Sequence, residues 1–223
     1  MCIIVVGNPR EIWKNSEALE RIKYQGDGFG IAWLEDNWNI YKTLDFNKFL
    51  NFYKEHILKQ RIKKVFIHGR MATQGAENLT NCHPVLPDES DDTLDDEILL
   101  INIEEALIHN GVISLPEEIV KTDPKYVERE VIYKKNPTSY WEDLLTQEVY
   151  RHKIISTYFS DTKLFLKSLR DLPLNKKLKK IEEEGNKGNK FVYLYKRNFY
   201  IFGEWYWKNN ILSSQPISLR YNW

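Results

Sequence analysis

Two cysteines in 223 residues, Cys2 and Cys82, make no disulfide framework and no four-ligand zinc set. An excess of charge of one sign is also missing. The 32 basic side chains balance 32 acidic ones, which argues against a nucleic-acid partner, because that role needs surplus Lys and Arg to displace counterions from phosphates. No run approaches the roughly 18 apolar residues of a membrane helix. The apolar start Met1-Cys2-Ile3-Ile4-Val5-Val6-Gly7 lacks the basic leader and small-residue cleavage site of a secretory signal. Five histidines are scattered without metal-ligand spacing, so neither a metal nor another cofactor is expected. No fixed-period repeat points to a solenoid or propeller. The expectation is one cytoplasmic domain, residues 1–223, with no membrane or nucleic-acid partner.

What is present reads as a mixture of strands and helices. The β-branched run 2–6, closed by Gly7-Asn8-Pro9, predicts a buried strand and a turn. Mixed spacing over 11–23 predicts a short helix, 31–34 and 38–43 a hairpin, 46–59 a helix and 65–67 a strand. The acidic stretch 87–92 reads as a solvated loop. Residues 98–103 and 106–109 read as strands about a turn at Glu104-Glu105. The proline-interrupted segment 114–150 reads as an insertion of loop and helix, the helix near 140–150. A further helix is expected over 161–171 and a charged linker over 176–190. A hairpin follows about Lys196-Arg197-Asn198, then an aromatic end. The sum is a layered α+β domain.

Cys2 has a chemical use that Cys82 lacks. Once an initiator methionine is removed, it carries both a thiol and a free α-amine. With the amine near pKa 7.7–8.0 and the thiol near about 8.5, the amine accepts the thiol proton directly or through one water. Alone, Cys2 reads more simply as a small filler of the first strand. Taken singly, Arg70 reads as a surface residue, Asn110-Gly111 as a hairpin turn and Ser160-Asp161-Thr162 as a helix cap. Gly26-Asp27-Gly28-Phe29-Gly30 leads into a strand, not a helix, which sets aside dinucleotide binding.

Their joint order reverses those readings. Cys2, then His68-Gly69-Arg70-Met71-Ala72-Thr73-Gln74-Gly75, Asn81-Cys82-His83-Pro84, His109-Asn110-Gly111 and Ser160-Asp161-Thr162 follow one another along the chain. Together they resemble the class II glutamine amidotransferases, N-terminal nucleophile (Ntn) hydrolases with the pattern H-x-R-x-A-T-x-G, N-x-H-P, H-N-G and S-D-T. The resemblance spans nearly the whole chain and is weakest over 114–150. It implies a four-layer αββα sandwich of two antiparallel sheets. It also implies that Cys2 is the nucleophile and that Asn110 and the Gly111 N–H form the oxyanion hole. Arg70 and Thr73 would grip the substrate α-carboxylate, and Asp161 would accept its α-ammonium. Arg suits such a grip because its donors form a planar fork. His68, Asn81 and His83 would support the site from behind, and Asp27 or Gly28 would help position the amine. Cys82 would be a packed small residue.

The implied reaction is hydrolysis of the glutamine side-chain amide through a Cys2 γ-glutamyl thioester, giving glutamate and ammonia. With no synthase domain expected in 223 residues, the ammonia would pass to a separate synthase subunit. The 114–150 insert and Trp205, Trp207, Tyr221 and Trp223 read either as docking surfaces or as an ordinary loop and ordinary core aromatics. The chain departs from the family at Ile3, where many members have Gly. It departs again at Met71 and Gln74, where sugar-forming members carry Trp and His. The Met71 and Gln74 departures open a second reading, a hydrolase of another γ-glutamyl or simple amide with no acceptor. A third reading is a catalytically silent binding or assembly protein on the same fold.

Overall fold

A run with no polar side chain has to be buried on both faces, and Ile3–Gly7 (β1) is buried at all of its positions. The computed structural model describes residues 2–72, 75–88, 96–134, 149–157 and 159–217, with 127–134 and 149–156 described by backbone alone. Two helices, α1 (Pro9–Lys14) and α2 (Ser16–Lys23), replace the single helix expected over 11–23. Asn15 causes the break: it ends α1 and caps α2, its side chain accepting the Ala18 N–H at 3.0 Å. β2 (Phe29–Leu34) and β3 (Trp38–Thr43) form the expected hairpin. α3 (Phe46–Phe52) is capped by Asp45 and continues into a π-turn at Tyr53–Ile57.

The order continues with β4 (Val65–Gly69), a 3-10 turn at Leu79–Asn81, β5 (Glu97–Ile103), β6 (Glu105–Asn110) and α4 (Glu117–Val120). After these come β7 (Val127–Lys134), β8 (Val149–Ser156), α5 (Asp161–Ser168), α6 (Leu174–Gly185), β9 (Lys190–Tyr195), β10 (Asn198–Phe202), β11 (Tyr206–Lys208) and β12 (Ile211–Ser213). Seven strands form one antiparallel sheet in the order β11-β12-β1-β4-β2-β3-β5, and three form a second in the order β10-β9-β6. The pair β7-β8 stands apart from both. The protein is α+β.

Period-2 alternation assigns each side chain to a face. Ile4, Val6, Ala32, Ile40 and Phe66 of the large sheet meet Ala106, Ile108, Val192 and Leu194 of the small one. On the other face of the large sheet, Ile3, Val5, Ile31 and Ile67 pack with Ile12, Ile22, Phe49 and Tyr53. On the far face of the small sheet, Leu107, Phe191 and Tyr193 pack with Phe165, Leu166 and Ile181. Each fully buried large side chain of this kind contributes about 1.5–3 kcal/mol.

The strands expected about Glu104-Glu105 are present, and the chain crosses there from one sheet to the other. Two expectations change. In the 114–150 segment, part of the expected loop and helix is the hairpin β7-β8; residues 140–148 of that helix lie outside the described residues, and Val149 and Tyr150 are strand. Residues 176–190 contain most of helix α6 rather than a linker, because Leu174, Leu178 and Ile181 recur at helical spacing beneath the lysines. Of the acidic stretch, residues 89–92 lie outside the described residues. Trp205 packs against the layer between the sheets, Trp207 is exposed, and Tyr221 and Trp223 are not described. No helix among the described residues is long and apolar enough to cross a membrane.

Helix α6 is tied down by a buried ion pair. Lys177 Nζ lies 2.7 and 2.8 Å from the two Glu105 carboxylate oxygens, and the Tyr193 hydroxyl donates to the same carboxylate at 2.7 Å. Removing the cation strands a buried charge. Lys177→Met is therefore expected to cost about 3 kcal/mol in urea unfolding. The double variant with Glu105→Gln should recover more than half of that, and an equal loss in both would refute the account.

Candidate active site

Register decides what stands beside Cys2. Ile3 pairs with Gly69 across β1 and β4, so the residues just beyond, Cys2 and Arg70, leave the sheet together at the same edge. The Met71 N–H points at Cys2 Sγ at 3.4 Å, and the thiol lies 3.4 Å from the Met71 carbonyl. The start of β1 is fixed from the C-terminal strand. Ile4 N–H donates to Ser214 Oγ at 2.8 Å, Ser214 N–H donates back to the Ile4 carbonyl at 2.9 Å, and the Gln215 amide donates to the Cys2 carbonyl. Burial pushes the Cys2 thiol above its ordinary pKa, against the lowering effect of the Met71 N–H, the amino terminus and Arg70. A neighbouring base is then what the thiol needs in order to act as a nucleophile.

The glycine-rich turn cradles the arginine segment. Arg70 N–H donates to the Gly28 carbonyl at 2.8 Å, Asp27 N–H donates to the Arg70 carbonyl at 3.0 Å, and the Asp27 carboxylate accepts the Ala72 N–H at 2.6 Å. Arg70 is 3% exposed. Gly28 is required here: at φ 141° a Cβ would lie 2.2 Å from Cys82 Sγ. Cys82 is fully buried, as a packed small residue would be. Thr73 lies outside the described residues.

Asn81 ties the following loop to α5. Its side-chain oxygen accepts the Ser160 N–H at 2.7 Å and its amide donates to the Ala76 carbonyl at 2.9 Å. Ser160 is the cap of α5, accepting the Lys163 N–H at 3.2 Å. Asp161 follows directly, its two oxygens accepting the Ile113 and Thr162 N–H groups, each at 2.7 Å. A carboxylate offers about four lone-pair sites, so acceptor capacity remains for a cation.

Three buried histidines form the floor. His68 Nε2 lies 3.1 Å from the His109 carbonyl and 2.9 Å from His83 Nδ1. A carbonyl only accepts, so His68 Nε2 carries hydrogen, His83 Nδ1 accepts, and the His83 proton sits on Nε2. Burial lowers His68 to about 3 and His83 well below its ordinary value. The unfolded chain therefore takes up protons first as pH falls. Stability is full above about pH 6.5 and drains by about 1.4 kcal/mol per pH unit per histidine below it. The urea midpoint is expected to fall between pH 7 and pH 5, and His68→Gln should flatten that slope. An unchanged slope in the variant would count against the histidine pair as the cause.

Cys2, Arg70, His83, His109, Gly111 and Asp161 line one cleft, with Met71 in its wall. Its volume is about 20 Å³, room for about one water and far below the roughly 300 Å³ of a ligand pocket. A ligand the size of an amino acid exceeds that volume. Asn110, expected in the oxyanion hole, is buried beside Gly111. Its amide donates to Ser214 Oγ at 2.8 Å, while its side-chain oxygen is buried without a partner. Asn110 thus braces the strand carrying Cys2. No group of three or more metal-ligating side chains converges among the described residues.

Sequence reasoning missed Ser214, Asn189 and Thr162 as parts of the site. Ser214 stands in a segment that reads only as a closing strand, and Asn189 in a glycine-rich turn where an asparagine signals nothing more. No protein-family model matches this chain, and no curated protein matches it either.

Proposed function

We propose that the chain is a class II glutamine amidotransferase domain of the Ntn-hydrolase type. It would act as a glutaminase on glutamine, or a closely related small amide, and release ammonia to a separate synthase subunit in the cytoplasm. The observation that carries this is the convergence of Cys2, Arg70, Gly111 and Asp161, from four distant segments, on one cleft. Two antiparallel sheets packed face to face, with helices on the outer surface of each, support the αββα sandwich that such domains use.

In this mechanism the α-amine of Cys2, exposed once Met1 is removed, takes the thiol proton. The thiolate then attacks the side-chain carboxamide carbon. The developing oxyanion meets the backbone at Gly111. The ammonium returns its proton to the leaving nitrogen, the C–N bond breaks and ammonia departs. Water, deprotonated by the same amine, cleaves the thioester to glutamate and restores the thiol. Arg70 and Asp161 hold the carboxylate and ammonium ends, so orientation is fixed before chemistry.

The test is glutamate and ammonia release from glutamine, with intact-mass confirmation that Cys2 is the first residue. Equal yields of both products support the proposal. A processed protein that releases no ammonia, alone or with candidate synthases, would sink it. Hydrolysis of another amide in place of glutamine is the second reading, and Met71 in the cleft wall favours it.

A further inference from the structure

Asn189, in the turn between α6 and β9, reaches His109 and the Val112 backbone beside the cleft. It is buried, its side-chain oxygen accepts the Val112 N–H at 2.9 Å, and the same oxygen lies 3.1 Å from His109 Nε2. Its amide donates to the Glu184 carbonyl at 3.3 Å. The Val112 N–H can only donate, so the atom facing it is the oxygen, and His109 Nε2 must be the nitrogen that carries hydrogen.

The rest of the chain of hydrogen bonds follows from that one assignment. With its proton on Nε2, a neutral His109 has a bare Nδ1. The Thr162 hydroxyl, 2.8 Å away, donates its single hydrogen there. That hydrogen is thereby withheld from Asp161 Oδ1, which lies 3.3 Å from the same hydroxyl. In the reverse polarity, Nδ1–H donates to Thr162 and the hydroxyl turns onto Asp161, whose oxygens already serve two backbone N–H groups. Which polarity prevails decides whether about two or about one of the Asp161 lone-pair sites remain for a cation. Burial holds His109 below its ordinary pKa although Asp161 and Glu184 pull the other way, and its ring stacks on Phe191 at 4.5 Å. The fit is close: a Cβ on Gly111, at φ 149°, would lie 1.9 Å from the Asn189 oxygen.

We infer that Asn189 is a positioning residue. It sets the proton polarity of the chain Asn189–His109–Thr162–Asp161 and so keeps a second Asp161 lone pair open to the primary ammonium of an amino-acid amide. The substrate half of this inference rests on the proposed glutaminase reading; the polarity half does not.

Two measurements separate them. In ¹⁵N-labelled full-length protein at neutral pH, long-range ¹H–¹⁵N correlations report the His109 tautomer, assigned by comparison with His109→Gln. The neutral Nε2–H form is expected, and an Nδ1–H or cationic His109 overturns the inference even if the enzyme hydrolyses glutamine. Asn189→Asp keeps an oxygen for both bonds but favours a charged His109, which turns the Thr162 hydroxyl onto Asp161. Its KM for glutamine is expected to rise about tenfold with kcat within about threefold, the size of one charge-assisted hydrogen bond. For glutaramate, which has no α-ammonium, KM should not move. An unchanged KM for glutamine, or an equal rise for both substrates, overturns the inference. If no amide is hydrolysed, the proposed function fails and the tautomer alone decides the polarity.

Discussion

Cys2→Ala is expected to abolish glutamine hydrolysis, by about 10⁴-fold or more, because removing a nucleophile leaves only binding and oxyanion stabilisation. The fold should survive. Ile4 is held through its backbone by Ser214, and the Cys2 carbonyl by Gln215, and none of those bonds uses the thiol. A glutamine-analogue affinity label should add one adduct to the wild-type chain and none to the variant, read by intact mass. Cys82→Ala should keep both label and turnover, losing the thiol's bonds to the Asn78 and Asp27 carbonyls and its packing beside Gly28. Wild-type turnover in Cys2→Ala, or a wild-type chain that still carries Met1 and takes no label, refutes the catalytic reading and favours a silent binding protein on the same fold.

Asp161→Asn is expected to lower kcat/KM for glutamine by about 10²–10³-fold, the cost of leaving a bound ammonium without its counter-charge. The loss should fall mainly on KM. The variant also has one oxygen where the native side chain uses two, so either the Ile113 or the Thr162 N–H loses its acceptor. That is expected to destabilise the fold by about 1–3 kcal/mol. Glutaramate separates the two effects, since it has no ammonium to lose. Its kcat/KM should fall by far less than that for glutamine. Equal losses on both substrates would assign Asp161 to the loop structure alone.

Local signals made much of the fold legible. The hairpins β2-β3 and β9-β10 and the strands β1 and β4 follow from short apolar runs between turn residues, and Ser160 caps α5 where the Ser-Asp-Thr segment predicts a cap. Helix α6 was obscured by its lysines, since a helix with one narrow apolar stripe looks like a charged linker until its spacing is counted. Glu104 shows a different limit. Two strands about a polar turn are legible there, but which sheet each joins depends on partners far away in the chain.

The site divides in the same way. The order of the motifs and their resemblance to the class II glutamine amidotransferases marked Cys2, Arg70, Thr73, Asn110, Gly111 and Asp161 as a candidate set. Only the tertiary structure placed Cys2, Arg70, Gly111 and Asp161 on one cleft, through the β1–β4 register and the Asn81–Ser160 bond. It also tied Asn110 to Ser214 and brought Asn189 from a distant turn to His109 and Val112. A hydrogen bond depends on distance and direction at the scale of tenths of an ångström. Spacing along the chain fixes neither for residues that meet only after both sheets have packed.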